Sequence, residues 1–371
     1  MKNNKKSLII ISTYDDIKNP FYGGGGAIAI HELAKRICCK YSIRILSWNH
    51  SGKTRENIDG VDYERFGLKF LHPKLSMLVF QLALPLIIIF KKYDLWLESF
   101  SPPLTTSFLP LFTKNTVVGV VHMLAAEDMQ RKYKLPFHLI ENIGIKKYKN
   151  IIVTSKSLKE KVLRINSKCS VAVISNGVDK VNNRKFSYKN YILFLGRIEI
   201  NQKGIDLLIP AFKKFNEEKK YAYKLIIAGF GDPKELKKLK QIVDKFDIDK
   251  YVIFEGRVSG RKKETLLNYA ACAVIPSRFE TYSLVGLEAM AHGLPIVCFD
   301  IKGLSWIPGK AAKKVRAFDT DKLSKAISQV VSDPLLRNYM KIEGIKYARK
   351  FTWNSISKLY DDYIRHVTAG L

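Results

Sequence analysis

The sequence predicts an α/β protein that consists of two domains, each a doubly wound, Rossmann-like parallel sheet. Short apolar runs alternate with segments of helical spacing along nearly the whole chain. Runs that are apolar on both faces and are separated by helices are typical of parallel strands covered by helices. The 371 residues exceed what one hydrophobic core usually holds, and the alternation stops once and then restarts.

The interruption lies in the polar, basic stretch "ISNGVDKVNNRKFSYKN", where the Asn176–Gly177 pair indicates a turn. We therefore predict a first domain over residues 1–182 and a second over residues 186–350. A helix is expected over about 352–371, where "FTWNSISKLYDDYIRHV" has apolar residues roughly one turn apart. The expected strands, in order, are "SLIII", "YSIRILSW", "DLWLESF", "NTVVGVVHM", "NIIVTS", "YILFLGR", "KLIIAGFG", "YVIFEGR", "CAVIPS", "PIVCFD" and "KVRAF".

The formal net charge of +29 suggests a polyanionic partner, such as nucleic acid, an acidic membrane surface or a phosphorylated substrate. Residues 1–180 hold 28 Lys and Arg against 14 Asp and Glu, a charge of +14, and the remainder holds 35 against 20, a charge of +15. This even distribution favours a general electrostatic background over a dedicated nucleic-acid surface. The alternative interpretation, that the excess charge only increases solubility, stays open.

The five cysteines include no C-x-x-C pair, and Cys272 and Cys298 lie inside apolar runs. A reducing, cytoplasmic compartment is therefore predicted, without a disulfide framework or a zinc site. The N-terminal "MKNNKKSLIIIS" is not expected to be a secretory leader, because its apolar run is short and no small-residue cleavage site follows.

The segment Leu75–Phe90, "LSMLVFQLALPLIIIF", is 16 residues long, and a membrane span needs about 20 apolar residues. Two interpretations stay open: a helix that docks on an anionic, cytoplasmic membrane face, and a core helix between two strands. The basic residues around it are Lys69, Lys74, Lys91 and Lys92, and the apolar ones include Phe70, Leu71, Leu75 and Phe80.

Glycine-rich loops are expected to follow the strands where a ligand would bind. In "NPFYGGGGAIAIHELAKRI" the glycines up to Gly25 and Gly26 open a helix, and glycine lets the backbone approach a ligand closely. A plain flexible turn is the alternative. After later strands, Gly229 in "IIAGFGDPKEL" and Val258 in "FEGRVSGRKKETLL" are further candidates, although helix capping at Asp232–Pro233 accounts for the first of these loops.

In "FLGRIEINQKGIDLLIPAF", Arg197 follows a strand, Lys203 lies in the next loop and Gly204 opens a helix. A guanidinium can bind two phosphate oxygens and an ammonium acts as a point charge, so together they predict an anion pocket. Two solvated surface cations are the alternative interpretation.

The stretch "SRFETYSLVGLEAMAHGLPIV" contains Glu280 and Glu288 with seven residues between them. A helix is expected to begin near Ser283, so that the N–H groups of Thr281 to Leu284, which include those of Tyr282 and Ser283, can hold a phosphate. A carboxylate beside a phosphate site is explained if it binds hydroxyl groups. We therefore predict that one glutamate holds a hexose and the other a ribose, with a diphosphate between them.

This stretch resembles the E-x7-E signature of the retaining GT-B glycosyltransferases of family 4. "LGRIEINQKGIDLLIPAF", "ISNGVD" and "FTW" resemble the same family, in the same order, and the likeness covers most of residues 7–365. The resemblance implies a GT-B fold, with two domains that face each other across a cleft and a final helix that returns to the first domain. It also implies that Glu280 contacts the donor sugar, Glu288 the ribose, and Arg197 and Lys203 the diphosphate.

The family also places a histidine near the reacting sugar, which here corresponds to His122 in "VVGVVHMLAAEDM". The stretch "FDIKGLSWI" departs from the family, because many relatives carry a glycine pair and a glutamate there. No metal or other cofactor is expected. Both D-x-D sequences, at 247–249 and 319–321, are interpreted as caps or turns, and the seven histidines lack metal-ligand spacing.

The predicted function is transfer of a hexosyl group, with retention of configuration, from a UDP- or GDP-linked sugar to an acceptor hydroxyl. The second domain would bind the nucleotide sugar and the first the acceptor, which we expect to be a lipid-linked saccharide or glycan. Whether the glycan belongs to a lipid, a polysaccharide or a protein stays open. The alternatives are a GT-B epimerase or phosphorylase, a silent member of the family and, in another class, a basic nucleic-acid-binding protein.

Overall fold

The computed structural model describes residues 6–19, 24–67, 72–102, 104–124, 126–179 and 188–369. The chain divides into two compact units, the first of residues 1–177 with 353–371 and the second of residues 178–352. Residues 182 and 186, where the sequence placed the domain boundary, lie in 180–187, outside the described residues.

The first unit is a mostly parallel sheet with helices packed on it. Its strands are β1 (Leu8–Ser12), β2 (Ser42–Trp48), β3 (Arg55–Ile58), β4 (Val61–Phe66), β5 (Leu95–Ser99), β6 (Val117–Val121), β7 (Asn150–Val153) and β8 (Ser170–Val173). Its helices are α1 (Gly25–Ile37), α2 (Pro73–Phe90), α3 (Ala126–Tyr133), α4 (Phe137–Ile145), α5 (Lys156–Ile165) and, from the end of the chain, α13 (Trp353–Thr368).

Among the described residues these strands form one sheet in the order β3-β4-β2-β1-β5-β6-β7-β8. Only β3 runs antiparallel to its neighbour. The sequence did not predict β3, β4 or β8. The hairpin of β3 and β4 turns at Asp59 and Gly60, which have φ angles of 52° and 82°. An Asp-Gly pair is a strong hairpin signal, and "RENIDGVDYERF" therefore contained the information.

The second unit contains a fully parallel sheet in the order β11-β10-β9-β12-β13-β14. Its strands are β9 (Tyr191–Leu195), β10 (Lys224–Ala228), β11 (Val252–Gly256), β12 (Cys272–Ile275), β13 (Ile296–Phe299) and β14 (Ala312–Val315). Its helices are α6 (Ile200–Lys203), α7 (Ile205–Glu218), α8 (Pro233–Lys245), α9 (Gly260–Tyr269), α10 (Leu284–Ala291), α11 (Thr320–Ser332) and α12 (Pro334–Ala348).

The last strand, β14, begins at Ala312 and therefore before the predicted "KVRAF". Its lysines did not suggest a strand, but β14 lies at the edge of the sheet, where lysine side chains are tolerated. The ammonium group of Lys314 has a polar partner there, because its Nζ donates to the carbonyl of Leu304 at 3.0 Å. The other predicted strands are present. Every residue of β6, β12 and β13 is buried, as expected for strands covered on both faces. The predicted α/β architecture of two parallel-sheet units is therefore confirmed.

Both sheets reverse their strand order beside their first strand. In the first unit β1 lies between β2 and β5, and in the second unit β9 lies between β10 and β12. In open α/β sheets, ligands bind outside the carboxyl ends of the strands at such reversal points. The loops after β9, β10 and β12, and those after β1 and β6, are therefore where the candidate site residues should lie.

Candidate active site

The loops at the carboxyl edge of the second sheet pack against one another through glycines. A Cβ atom on Gly229 would lie 1.7 Å from the carbonyl oxygen of Gly196, which joins the loops after β10 and β9. A Cβ atom on Gly204 would lie 2.0 Å from the carbonyl oxygen of Pro276, which joins α6 to the end of β12. Such contacts exclude any side chain, so these glycines are needed for the loops to converge.

Lys203 and Glu280 meet where these loops converge. The Nζ atom of Lys203 lies 2.6 Å from Oε1 of Glu280, and Ser277 Oγ donates to the same oxygen at 2.9 Å. Lys203 is the last residue of the short helix α6 and not part of a loop, because Gly204, with a φ of 61°, ends that helix. The Glu280 side chain is only 7% exposed. The ammonium group therefore compensates the negative charge of this largely buried carboxylate.

The loop that carries Glu280 is fixed by Arg278, which the sequence reasoning missed. Its guanidinium donates to both carboxylate oxygens of Asp206, at 2.8 and 2.7 Å, and this bond raises the pKa of Arg278. Its backbone N–H donates to the carbonyl of Gln202 at 2.9 Å. A bidentate pair of this kind holds a planar geometry. Arg278 therefore connects the Glu280 loop to α6 and α7.

Helix α10 carries Glu288 and begins where the sequence predicted. Ser283 is its N-cap residue, and Ser283 Oγ accepts the backbone N–H of Gly286 at 3.1 Å. Glu288 Oε1 lies 2.9 Å from Nζ of Lys263 in α9. The sequence reasoning missed Lys263, because "GRKKE" offers three neighbouring cations and nothing local distinguishes the one that faces α10.

The stretch "FDIKGLSWI", which departs from the family pattern, packs against the Glu280 loop. A Cβ atom on Gly303 would lie 1.8 Å from the carbonyl oxygen of Glu280. The ring of Trp306 stacks on the ring of Tyr282, with centroids 4.4 Å apart and an interplanar angle of 9°. Tyr347 donates from its hydroxyl to the carbonyl of Trp306 at 3.0 Å. The stretch that departs from the family pattern therefore packs against and supports the loop that carries Glu280.

Other predicted donor residues lie at the same edge but in different surroundings. Arg197 donates to Oε1 of Gln202 at 2.8 Å, lies 3.8 Å from Glu199, and is 49% exposed. Leu284 is the first residue of α10, and Val258 is partly buried against the core of the second unit. The structure thus brings Lys203 to Glu280, whereas Arg197 is held by its own loop.

In the first unit, His122 directly follows β6 and lies beside the start of α1. A Cβ atom on Gly26 would lie 3.8 Å from Cδ2 of His122, and Gly25, the first residue of α1, is exposed. Both ring nitrogens are buried, and neither has a hydrogen-bond partner in the described part of the chain. Burial lowers the pKa of His122 to about 4, so the imidazole is neutral at pH 7.

The two D-x-D sequences have the structural roles that the sequence predicted. Asp319 caps α11 by accepting the backbone N–H of Lys322 at 2.9 Å, and Asp249 opens a 3₁₀ turn over 249–251. Among the residues that the structure describes, no three His, Cys, Asp or Glu side chains form a group that could hold a metal ion.

The architecture is that of the GT-B fold. The structure superposes on sucrose-phosphate synthase from Thermosynechococcus elongatus with a TM-score of 0.83 and 19% sequence identity, over 99% of this chain and 100% of that one. Two family models match the chain over ranges that overlap slightly. They are Glycosyltransferase Family 4 over residues 23–181 and Glycosyl transferases group 1 over residues 177–347. The chain belongs to this group 1 / family 4 class of GT-B glycosyltransferases.

Two relatives illustrate the class. An uncharacterized glycosyltransferase of Methanocaldococcus jannaschii, MJ1607, is 31% identical over 265 residues, which are 66% of this chain and 65% of the relative. The O-antigen chain mannosyltransferase B of Escherichia coli is 28% identical over 171 residues, which are 46% of this chain and 44% of the relative. The chain thus spans about two thirds of the M. jannaschii relative and less than half of the E. coli relative.

Proposed function

We propose that the protein transfers a hexosyl group from a UDP- or GDP-linked sugar to an acceptor hydroxyl, with retention of anomeric configuration. The observation that carries the proposal is the Lys203–Glu280 pair beside the N-terminus of α10, with Glu288 about one turn into that helix. The pair joins a cation at the end of α6 to a carboxylate in the loop between β12 and α10, beside the backbone N–H donors at the start of α10. Family membership and the name of the E. coli relative support the reaction class.

The donor diphosphate would lie between the two glutamates. The first turn of α10 offers a helix N-terminus to its negative charge, and the exposed guanidinium of Arg197 and the ammonium of Lys203 would neutralise it. Glu280 would accept hydrogen bonds from hydroxyls of the hexose. Glu288, held by Lys263, would accept them from the ribose.

The reaction would depend on stabilising the leaving group more than on a protein acid and base. The bond between the anomeric carbon and the diphosphate oxygen breaks, and the acceptor oxygen bonds to the same face of that carbon. The acceptor proton passes to a donor phosphate oxygen, and the nucleoside diphosphate leaves with the electron pair. Cationic side chains supply the required charge, so we propose no metal. A neutral His122 would hydrogen-bond the reacting sugar without adding charge.

We infer that the first unit binds the acceptor, and that this acceptor is a lipid-linked saccharide or glycan at the cytoplasmic side of a membrane. The exposed apolar face of α2 in the same unit supports a lipid-bearing acceptor. An epimerase or phosphorylase with the same fold would share the donor site but would not require this acceptor.

The first test is a thermal-shift panel of nucleotides and nucleotide sugars on the wild type and on Glu280→Ala. A ligand that binds only the native state raises the midpoint. We expect one sugar donor to raise the midpoint more than its parent nucleotide, and the variant to lose that additional shift. No shift with any nucleotide would contradict the proposal, and salt-sensitive RNA binding in that case would favour the nucleic-acid alternative.

Product analysis separates the enzymatic alternatives. A new sugar nucleotide formed from the donor alone would indicate an epimerase. Phosphate-dependent release of a sugar phosphate from a glycan would indicate a phosphorylase. Transfer to an added acceptor, with the product anomer identified by NMR, would support transfer and would decide between retention and inversion.

A further inference from the structure

Helix α2 has two contrasting faces. One is built into the core of the first unit: Met77, Phe80, Leu84 and Ile88 are buried, and the amide of Gln81 donates to the carbonyl of Ser101 at 2.9 Å. The opposite face is apolar and exposed. Its members and exposed fractions are Leu75 (47%), Val79 (39%), Leu82 (61%), Leu86 (63%), Ile89 (53%) and Phe90 (84%).

The exposed residues of α2 form one stripe and not a scatter. At about 100° per residue they fall within one arc of roughly 100° on the helix surface. Single exposed apolar residues are common on soluble proteins, but a contiguous exposed stripe marks an interaction site. The sequence alone left open whether this segment is a core helix or a docking helix, and the structure gives the same helix both faces.

A second exposed apolar stripe lies on α4, a helix that the sequence reasoning had not connected with α2. Leu139 and Ile143 are 53% and 55% exposed, and Leu135, just before the helix, is 57% exposed. On the buried side of α4, Glu141 accepts a hydrogen bond from Oγ1 of Thr105 at 2.7 Å.

Both helices pack on the same loop. Gln81 of α2 binds Ser101, Glu141 of α4 binds Thr105, and Ser101 and Thr105 exchange backbone hydrogen bonds of 2.9 Å in each direction. The Nζ atom of Lys74, at the start of α2, also lies 5.8 Å from the ring centroid of Tyr133, at the end of α3. We call the two stripes together the α2/α4 face.

The surroundings of the α2/α4 face are basic. Residues 72–149 contain ten Lys and Arg against five Asp and Glu, and two of those five acids, Glu98 and Glu141, are buried. The exposed lysines of the helices and their flanks include Lys74, Lys92, Lys134, Lys146, Lys147 and Lys149.

We propose that the α2/α4 face docks the protein on the surface of an anionic lipid bilayer. The apolar stripes would enter the boundary between headgroups and acyl chains, and the lysines would pair with anionic headgroups. Two copies of the chain packed through this face would bring lysines against lysines, whereas an anionic bilayer supplies both the apolar layer and the opposite charge. The inference does not depend on the proposed reaction, because docking requires no substrate.

Insertion of α2 across the bilayer is disfavoured by its buried face. Of the described helices, α2 alone is long and apolar enough to cross a membrane, and a third of its 18 residues are buried. Core helices pass the same test. A spanning α2 would have to leave the core contacts of Phe80 and Leu84 and the hydrogen bond of Gln81. We therefore place α2 in the plane of the interface.

Flotation with vesicles tests the proposal on the full chain. The wild type should bind vesicles of phosphatidylglycerol and phosphatidylcholine at low salt and bind pure phosphatidylcholine at least about tenfold less, and about 0.5 M salt should weaken the binding. The double variant Leu82→Gln/Leu86→Gln should lower the partition coefficient at least about tenfold. Its matched control is Leu335→Gln/Ile342→Gln on α12, where the residues are 84% and 55% exposed; this control should bind as the wild type does.

Charge variants test the electrostatic part. Lys146→Gln/Lys147→Gln, beside α4, should reduce binding to anionic vesicles and leave binding to phosphatidylcholine unchanged. The control Lys237→Gln/Lys238→Gln, on exposed positions of α8, should have little effect. All these side chains are exposed, so we expect every variant to fold as the wild type does. Unchanged thermal midpoints would show this.

Four results would overturn the proposal. The first is binding of the wild type to anionic vesicles at low salt that stays at background, and the second is an equal loss of binding in the α12 control. The third is a wild type that does not bind vesicles but forms a dimer, which dissociates in Leu82→Gln/Leu86→Gln. The fourth is membrane attachment that resists alkaline extraction. Nucleotide-sugar binding by the variants in solution tells a failure of docking from a failure of the proposed function.

Discussion

Lys203 and Glu280 form a close ion pair although they are 77 positions apart in the sequence. The carboxylate is 7% exposed and the lysine side chain 20%. One ammonium group therefore lies beside the carboxylate that is proposed to bind the donor sugar, and this pair is the centre of the candidate donor site.

Lys203→Met should destabilise the protein by about 1 to 3 kcal/mol, because it leaves a largely buried carboxylate without its cation. The double variant Lys203→Met/Glu280→Gln should recover most of that loss, since neither charge remains, but should bind no donor. Denaturant unfolding measures the stability, and the donor-dependent thermal shift measures the binding. Lys214→Met breaks an exposed pair with Asp321 and should cost little. Equal losses for the two lysine variants would contradict the prediction.

Lys263→Met should weaken nucleotide binding by about tenfold, because Glu288 would lose the ammonium group that orients its carboxylate. The adjacent Lys262 pairs with Glu255 and not with Glu288, so Lys262→Met is the matched control. Calorimetric titration with the nucleoside diphosphate measures both variants. If Lys263 matters only as general positive charge, both variants should weaken binding to the same extent.

Gly303→Ala should both destabilise the second unit and reduce the sugar-dependent part of donor binding. The new Cβ would lie 1.8 Å from the carbonyl oxygen of Glu280, so the loop that carries this carboxylate would have to move. Gly309→Ala is the control, because a Cβ at Gly309 meets nothing within 4 Å. Thermal midpoints with and without donor would show the effect, and identical behaviour of the two variants would refute it.

His122 should titrate well below the usual range of a histidine, with a pKa of about 4. The lowered pKa stabilises the fold above about pH 6.5, and this contribution is lost as the pH falls towards about 4. NMR of the labelled imidazole should show a neutral ring at pH 6, and a midpoint near 6.5 would contradict the burial argument. His122→Ala removes the proposed hydrogen bond to the reacting sugar, so it should lower the rate of transfer at least about hundredfold while nucleotide affinity stays within about threefold.

Glu98 is a buried carboxylate outside the candidate site, and it should produce a pH dependence of stability. It accepts hydrogen bonds from the backbone N–H of Ser107 at 2.6 Å and from the hydroxyl of Tyr148, and burial raises its pKa to about 7. Its contribution is present below about pH 4.5 and is lost as the pH rises through about 7.

Glu98→Gln cannot ionise, so its stability relative to the wild type should rise by about 2 to 3 kcal/mol between pH 5 and pH 8. The comparison isolates Glu98, because His122 and other groups titrate in both proteins. Denaturant unfolding across this range measures the difference, and a constant difference would show that the wild-type carboxylate does not change its protonation in that range.

Much of the fold could be predicted because burial constrains local composition. Strands covered on both faces, such as Val117–Val121, must be apolar throughout, and the helix start at Ser283 is set by its own hydroxyl. The short antiparallel hairpin at Asp59–Gly60 was missed because the strand predictions relied on runs that are apolar throughout, whereas Val61–Phe66 alternates between its two faces.

By itself, the sequence determined the alternation of strands and helices, the location of both carboxylates in one strand–loop–helix unit and the position of His122 at a strand end. The tertiary structure alone decided which charges pair: Lys263 with Glu288, Arg278 with Asp206 and Lys203 with Glu280. It also decided that one face of α2 stays uncovered. The reason is physical: a chain with 63 Lys and Arg offers many equivalent cations, and only the packing of distant elements brings one of them to a given carboxylate.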